Sequence, residues 1–324
     1  MTPKLKSRLL AAATLAVFAF AIWVLKGALA NVVWADVRAY LAALPPLRIA
    51  AAAGFAAASY FWLTWYDTLA IRFVSGKQFS WLTIAPTSFV AYAVGHNVGV
   101  STISGGAIRL RDYSRLGLSG AQVAGVITLC VFALGLGANL LLDYALFMHT
   151  GTASTVLHVS TTSVQLIGVA NLCLFAAYLW FTASRQGRPF TIGENSIAAP
   201  PLAFTLRQTL VSMADLSCSA AAFYCLLPVD GLSYLPFLGF YVLAMIAGVV
   251  SNVPGGLGVF ESVMLLTIPE AQPAQLAGSA LAFRAVYYLV PFALALLLLL
   301  VKEGRRFLQR KQECRPADTS VNRV

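Results

Sequence analysis

Residues 95–106 read GHNVGVSTISGG, and residues 251–258 read SNVPGGLG. Each lies in a long stretch without a charged side chain, 78–108 and 231–260 respectively. Either stretch is long enough to cross a bilayer, for which about 20 apolar residues suffice. Their centres, however, are polar and rich in glycine, and Pro86 and Pro254 add further breaks. Irregular backbone at membrane depth persists only where protein or a polar cavity shelters it. The two stretches are therefore predicted to enter the membrane, break, and return to the face they came from.

The rest of the chain fits a membrane setting. Of 324 residues, 59% are hydrophobic and 10% charged, with a mean hydropathy of +0.79. Soluble domains carry about 25% charged residues, and a water-soluble fold cannot hide such an apolar excess. Apolar spans are expected at about 9–25, 49–66, 116–142, 164–181, 208–227 and 274–301, the fifth carrying Asp215 and the last Arg284. The first can be read as a retained span or, with Gly27-Ala28-Leu29-Ala30 after it, as a cleaved signal; its length favours a span. Residues 31–44 place Val33, Val37, Tyr40, Leu41 and Leu44 on one helical face, an arrangement suited to the outer interface with Trp34 and Tyr40 at headgroup depth.

Charge chooses the orientation. Lys and Arg number 22 against 12 Asp and Glu. In a soluble chain that excess would suggest nucleic acid; here it reads as the positive-inside bias. With both broken stretches re-entrant, Arg72, Lys77, Arg109, Arg111, Arg115, Arg185, Arg207 and the tail cations fall inside, with both termini; Lys26, Arg38 and Arg48 are left outside. The expected fold is an all-α polytopic membrane protein of about six full spans and two opposed re-entrant hairpins. It is a single domain over 1–301, with inverted halves of about 1–147 and 160–301, followed by a basic cytoplasmic tail at 302–324. Inverted repeats with a broken segment in each half are a transporter layout.

Few side chains suit chemistry. Arg284 lies in the middle of the last span, where an unpaired arginine costs several kcal/mol, so it needs a partner or a wet cavity. Asp215 and Glu261 are the candidate partners, as an ion pair or a proton-coupling site, with Tyr287 and Tyr288 close to Arg284 in sequence. Arg109 and Arg111 could grip a phosphate bidentately, or serve only as loop cations at the inner leaflet. Asn97 and Asn252 mark the two hairpin tips. Gly255 and Gly256 precede a half-helix whose N-terminus would favour a phosphate or carboxylate. His96, His149 and His158 are too isolated to suggest a metal, and the five cysteines form no Cys-x-x-Cys pair. There is no Walker-type phosphate loop and no nucleophile elbow. No cofactor is expected.

Three strings, SGGAIRLRDYS at 104–114, NVPGGLGVFE at 252–261 and FRAVYYLVP at 283–291, resemble the flippase half of the bacterial lysylphosphatidylglycerol synthase/flippase family, the multiple peptide resistance factors. The resemblance covers about 79–117 and 234–300. It implies a translocator of a phospholipid or aminoacylated lipid in the bacterial inner membrane, in a stand-alone form without the aminoacyl-transferase domain and so not an enzyme. Arg109, Arg111, Glu261, Arg284 and Tyr288 are the residues the resemblance marks as sensitive. With Tyr113, Asn252, Gly255, Gly256 and Tyr287 they make up the expected lipid site; Asp215 and Glu261 are the coupling or ion-pair residues. The partner is a membrane lipid, with a separate synthase or a homodimer as further expectations. The alternatives are a small-solute or ion transporter on the same site, and a non-transporting partner of a lipid-modifying synthase.

Overall fold

A computed structural model describes residues 34–313, except 99–100, 158, 186, 188, 193–194, 228–231, 252–257 and 269–271. The expected first span therefore lies outside the described residues, as do Asn252, Gly255 and Gly256. The chain order is α1 (Trp34–Ala43), α2 (Pro46–Ser75), α3 (Trp81–Val98), α4 (Ser101–Arg115), α5 (Gly120–Met148), α6 (Thr150–Leu157) and α7 (Thr161–Arg185). A two-stranded ribbon follows, β1 (Pro189–Ile192) and β2 (Asn195–Ala198). Then come α8 (Leu202–Tyr224), α9 (Tyr234–Val250), α10 (Val259–Thr267), α11 (Pro273–Phe283), a π-helical turn (Arg284–Leu289) and α12 (Val290–Glu313). Apart from this short antiparallel ribbon the described elements are helical, in keeping with the expected helical class.

This is a polytopic helical membrane protein. Four helices among the described residues are long and apolar enough to cross a bilayer: Pro46–Ser75, Gly120–Met148, Thr161–Arg185 and the continuous Pro273–Lys302. They correspond to four of the spans expected from sequence. A fifth, α8, has 23 residues and the required length, but Thr, Ser, Gln and Asp215 reduce its hydropathy. Those polar groups face inward, since Gln208, Thr209, Ser212, Asp215 and Ser219 are all buried. Lipid tails are as apolar as leucine, so such a bundle is held by close packing and interhelical hydrogen bonds. Accordingly α8 lies against α2 and α5, and a Cβ on Gly137 of α5 would run into Ser212 and come within 2.9 Å of the Met213 nitrogen.

Local signals set the helix ends. Pro46 opens α2, where a missing N–H costs nothing, and Gly76 closes it at φ +66° with its N–H on the Arg72 carbonyl. Ser119 starts α5 through a reciprocal capping box with Gln122, at 2.9 and 3.2 Å. The short helix α1 buries Val37, with Leu44 buried just past its end, and exposes Trp34.

Two helix hairpins occupy the positions of the broken stretches. In the first, α3 and α4 run antiparallel: Gly105 faces Ala91, and Thr87 reaches Asp112. Gly95, Gly105 and Gly106 were expected to break this segment, yet all lie inside helices. Gly105 is needed for approach, because its Cβ would stand 2.6 Å from the Ala91 carbonyl oxygen. Pro86 is likewise accommodated within α3. In the second hairpin α9 packs against α10, with Tyr241 edge-on to Phe260, 5.6 Å between centroids.

Candidate functional site

The polar interior begins at Asp67. Its carboxylate is fully buried in α2 and receives Arg109 of α4 in a bidentate pair, Nε to Oδ2 at 2.8 Å and Nη2 to Oδ1 at 3.0 Å. The Tyr113 hydroxyl donates to Oδ2 and the Cys130 thiol to Oδ1. The guanidinium also lies over the Tyr92 ring, 4.4 Å from its centroid. A buried guanidinium persists when a carboxylate matches its fork and neighbours satisfy the remaining lone pairs. Arg109, expected to hold a phosphate, is thus committed to Asp67, and Tyr113 to the same acid.

A second acid occupies the centre of the bundle. Ser59 is the fourteenth of 30 residues in α2, Asp215 the fourteenth of 23 in α8, and Tyr287 the fifteenth of 30 in the last span, so all three lie near mid-helix. Ser59 donates to Asp215 Oδ1 and shares a 2.7 Å hydrogen bond with the Tyr287 hydroxyl. Tyr66 donates to Oδ2 at 3.3 Å. Asp215 was one of two candidate partners for Arg284; the structure surrounds it with hydroxyls instead.

The π-helical turn explains how this centre is lined. Pro291 lacks an N–H, so the carbonyl of Tyr287, four residues earlier, loses its helical donor. The helix widens over Arg284–Leu289, and other elements supply donors. The Tyr60 hydroxyl reaches the Tyr287 carbonyl at 3.3 Å, and the Asn97 side chain reaches that of Tyr288 at 3.1 Å. Asn97 stands at the end of α3, so the first hairpin meets the last span here. His96 lies about 6 Å, ring to ring, from each of Tyr60, Tyr92, Tyr287 and Tyr288.

Glu261 is the partner of Arg284. Its Oε1 accepts from Arg284 Nε at 2.9 Å and Nη2 at 2.6 Å. Its other oxygen accepts the Gly258 N–H at 2.8 Å, forming one half of a cap on α10. The half-helix expected to present its N-terminus to a ligand therefore starts at Val259 and has one of its first donors satisfied by its own Glu261. Tyr288 lies beside the pair, its ring centroid 5.8 Å from the Arg284 guanidinium carbon.

A charged cluster forms at the far end of the first hairpin. Asp112 of α4 accepts from Thr87 at 3.3 Å, Arg111 at 3.2 Å, Arg115 at 3.4 Å, and Lys302 of α12. Burial alone would raise the Asp112 pKa, but Lys302 and Arg111 outweigh it and hold the carboxyl below its ordinary range. Arg111 and Arg115 keep side-chain exposures of 39% and 50%, against 6% for Arg109. The two arginines named as one phosphate grip thus differ: Arg111 faces outward and Arg109 inward.

No established family model matches the sequence. The protein slr0712 of Synechocystis is 33% identical over 92% of this chain and 92% of its own length. The inner membrane protein YbhN of Escherichia coli is 31% identical over 87% of each. Phosphatidylglycerol lysyltransferase of Staphylococcus aureus is 26% identical over 73% of this chain, a match that takes in only 27% of the lysyltransferase. The chain belongs to the family of YbhN and slr0712, stand-alone relatives of the lysylphosphatidylglycerol synthase membrane region.

Proposed function

We propose that this protein moves a phospholipid headgroup between the leaflets of the bacterial inner membrane. The observation that carries the reading is the central polar network: Ser59, Asp215 and Tyr287 at mid-helix, next to freed carbonyls of a π turn. Polar groups at that depth are costly, and they mark substrate or ion paths more often than scaffolding. π turns inside transmembrane helices are frequent at functional positions. A headgroup crossing hydrocarbon must exchange its hydration for such partners. The likeness of part of the chain to a lysyltransferase acting on phosphatidylglycerol supports a lipid as cargo.

In this reading both helix hairpins are re-entrant, α3–α4 from the cytoplasmic face and α9–α10 from the opposite one, with six spans and both termini cytoplasmic. The exposed Arg111 and Arg115 collect an anionic headgroup from the inner leaflet. The Arg284–Glu261 pair opens to meet the phosphate, and Asp215 couples movement to a proton. A separate synthase would supply an aminoacylated cargo.

The test uses liposomes holding purified protein and a headgroup-labelled anionic phospholipid, with an impermeant quencher outside. Quenching beyond the outer-leaflet pool in wild type, but not in Arg284→Ala or Glu261→Gln, is the expected result. Quenching limited to that pool in all samples rejects translocation of that lipid. Labelling a cysteine at Ser114 from outside the cell would reject the first hairpin as re-entrant.

A further inference from the structure

A groove of about 700 Å³ runs between α5 and α7, away from the central network. On α5 its floor is a stripe of every fourth residue, Ile127, Val131, Gly135 and Asn139, and on α7 it is walled by Leu174 and Tyr178. Both helices are apolar enough to span the bilayer, so the medium beside the groove is lipid. At 1.5 Å per residue, Ile127 to Asn139 covers about 18 Å, close to the roughly 15 Å of one leaflet's hydrocarbon. The groove has the length of one acyl chain lying along the helix.

The next position on the same stripe is Asp143, whose residue exposure is only 3%. Its Oδ1 accepts from Asn171 Nδ2 at 2.8 Å, while its Oδ2 is buried with no hydrogen-bond partner. Asn139 and Asn171 close the end of the groove through reciprocal side-chain bonds of 2.8 and 3.0 Å. A buried carboxylate oxygen without a donor is costly, and a cationic donor relieves both charge and bond. We propose that this face holds one phospholipid with a primary-ammonium headgroup, its acyl chain in the α5–α7 groove and its ammonium on Asp143 after the asparagine pair swings aside. That it belongs to the outer leaflet rests on the topology proposed above.

The probes are phosphatidylethanolamine and phosphatidylglycerol with identical acyl chains, offered together to the delipidated full-length protein and counted by native mass spectrometry. Wild type is expected to keep one phosphatidylethanolamine in preference to phosphatidylglycerol. Asp143→Asn, of the same shape, is expected to lower that preference by about tenfold while still holding a chain. Gly135→Leu fills the groove and is expected to lower retention of both lipids; a Cβ at Gly135 meets nothing within 4 Å, so the new side chain starts into open space. Unchanged preference in Asp143→Asn, or unchanged retention in Gly135→Leu, overturns the proposal. Liposome quenching on the same variants reports translocation separately, so loss of retention with wild-type quenching leaves the proposed transport reading intact.

Discussion

Replacing Asp67 should unfold the protein more readily than replacing any other carboxylate. Asp67→Ala removes both contacts to Arg109, at 2.8 and 3.0 Å, and strands a guanidinium whose side chain is 6% exposed. Breaking one side of a buried pair costs about 3–5 kcal/mol, or roughly two to four decades in the folded-to-unfolded ratio. Arg109→Met should cost less, because the carboxylate retains its hydrogen bonds from Tyr113 and Cys130. Asp67→Leu with Arg109→Met removes both charges and should recover most of the loss, as apolar replacements of buried pairs often do. Unfolding in mixed detergent and SDS micelles gives all three values and their coupling. If Arg109→Met keeps wild-type stability yet abolishes lipid exposure, the arginine serves cargo, and the assignment of this pair to architecture is refuted.

Pro291→Ala restores a backbone donor that competes with Tyr60 for the Tyr287 carbonyl, so lipid exposure should fall while stability shifts by less than about 1 kcal/mol; thermal unfolding and the quenching assay report the two. Asp215→Asn can accept from one of the Ser59 and Tyr66 hydroxyls and donate its amide to the oxygen of the other, so stability should shift by less than about 1 kcal/mol while the pH dependence of lipid exposure flattens; an unchanged profile removes Asp215 from coupling. Gly137→Ala should cost about 1–3 kcal/mol by overpacking, since the added carbon meets Ser212 and the Met213 nitrogen, and chemical unfolding checks it. For Asp112, a folded-state pKa below the usual value of about 3.8 means that its stabilising contribution is complete above that value and is lost as pH falls through the depressed one. The protection of α4 amides, with exchange corrected for its intrinsic pH dependence, should therefore be the same at pH 8 and pH 5, and fall at pH 5 in Lys302→Met.

What the sequence disclosed was the part governed by solvent. Apolar excess named the class, and long apolar runs with few or no charges located four spans. Arg284 announced its need for a partner, and Glu261 supplies it. Asp67 went unread because the apolar run of α2 ends at Tyr66, so a charge immediately after it looks like the water interface. The helix continues to Ser75 and carries Asp67 into the protein. Arg109 misled in the same way, next to Arg111 in sequence but turned to the opposite environment. Glycines mark either a break or a close approach, and without a partner helix Gly105 could not be told apart from a break. Pro291 stood in a quoted motif, yet the consequence of its missing N–H depended on Tyr60 and Asn97, which come from other elements.

The π turn also settles a problem of phase. Phe283, Tyr287, Pro291 and Ala295 are all buried, four residues apart. In an α-helix of 3.6 residues per turn, 12 residues overshoot three turns by about 120°, which would rotate Ala295 from the protein side out to the lipid. The wider turn absorbs that overshoot, so one stripe stays against the bundle from Phe283 to Ala295. Leu294, Leu297 and Leu298 are left on the outer side. A single-residue deletion at Leu289 would therefore be absorbed without rotation, because 11 residues come within about 20° of three α-helical turns, and the plain helix would still carry Lys302 to Asp112.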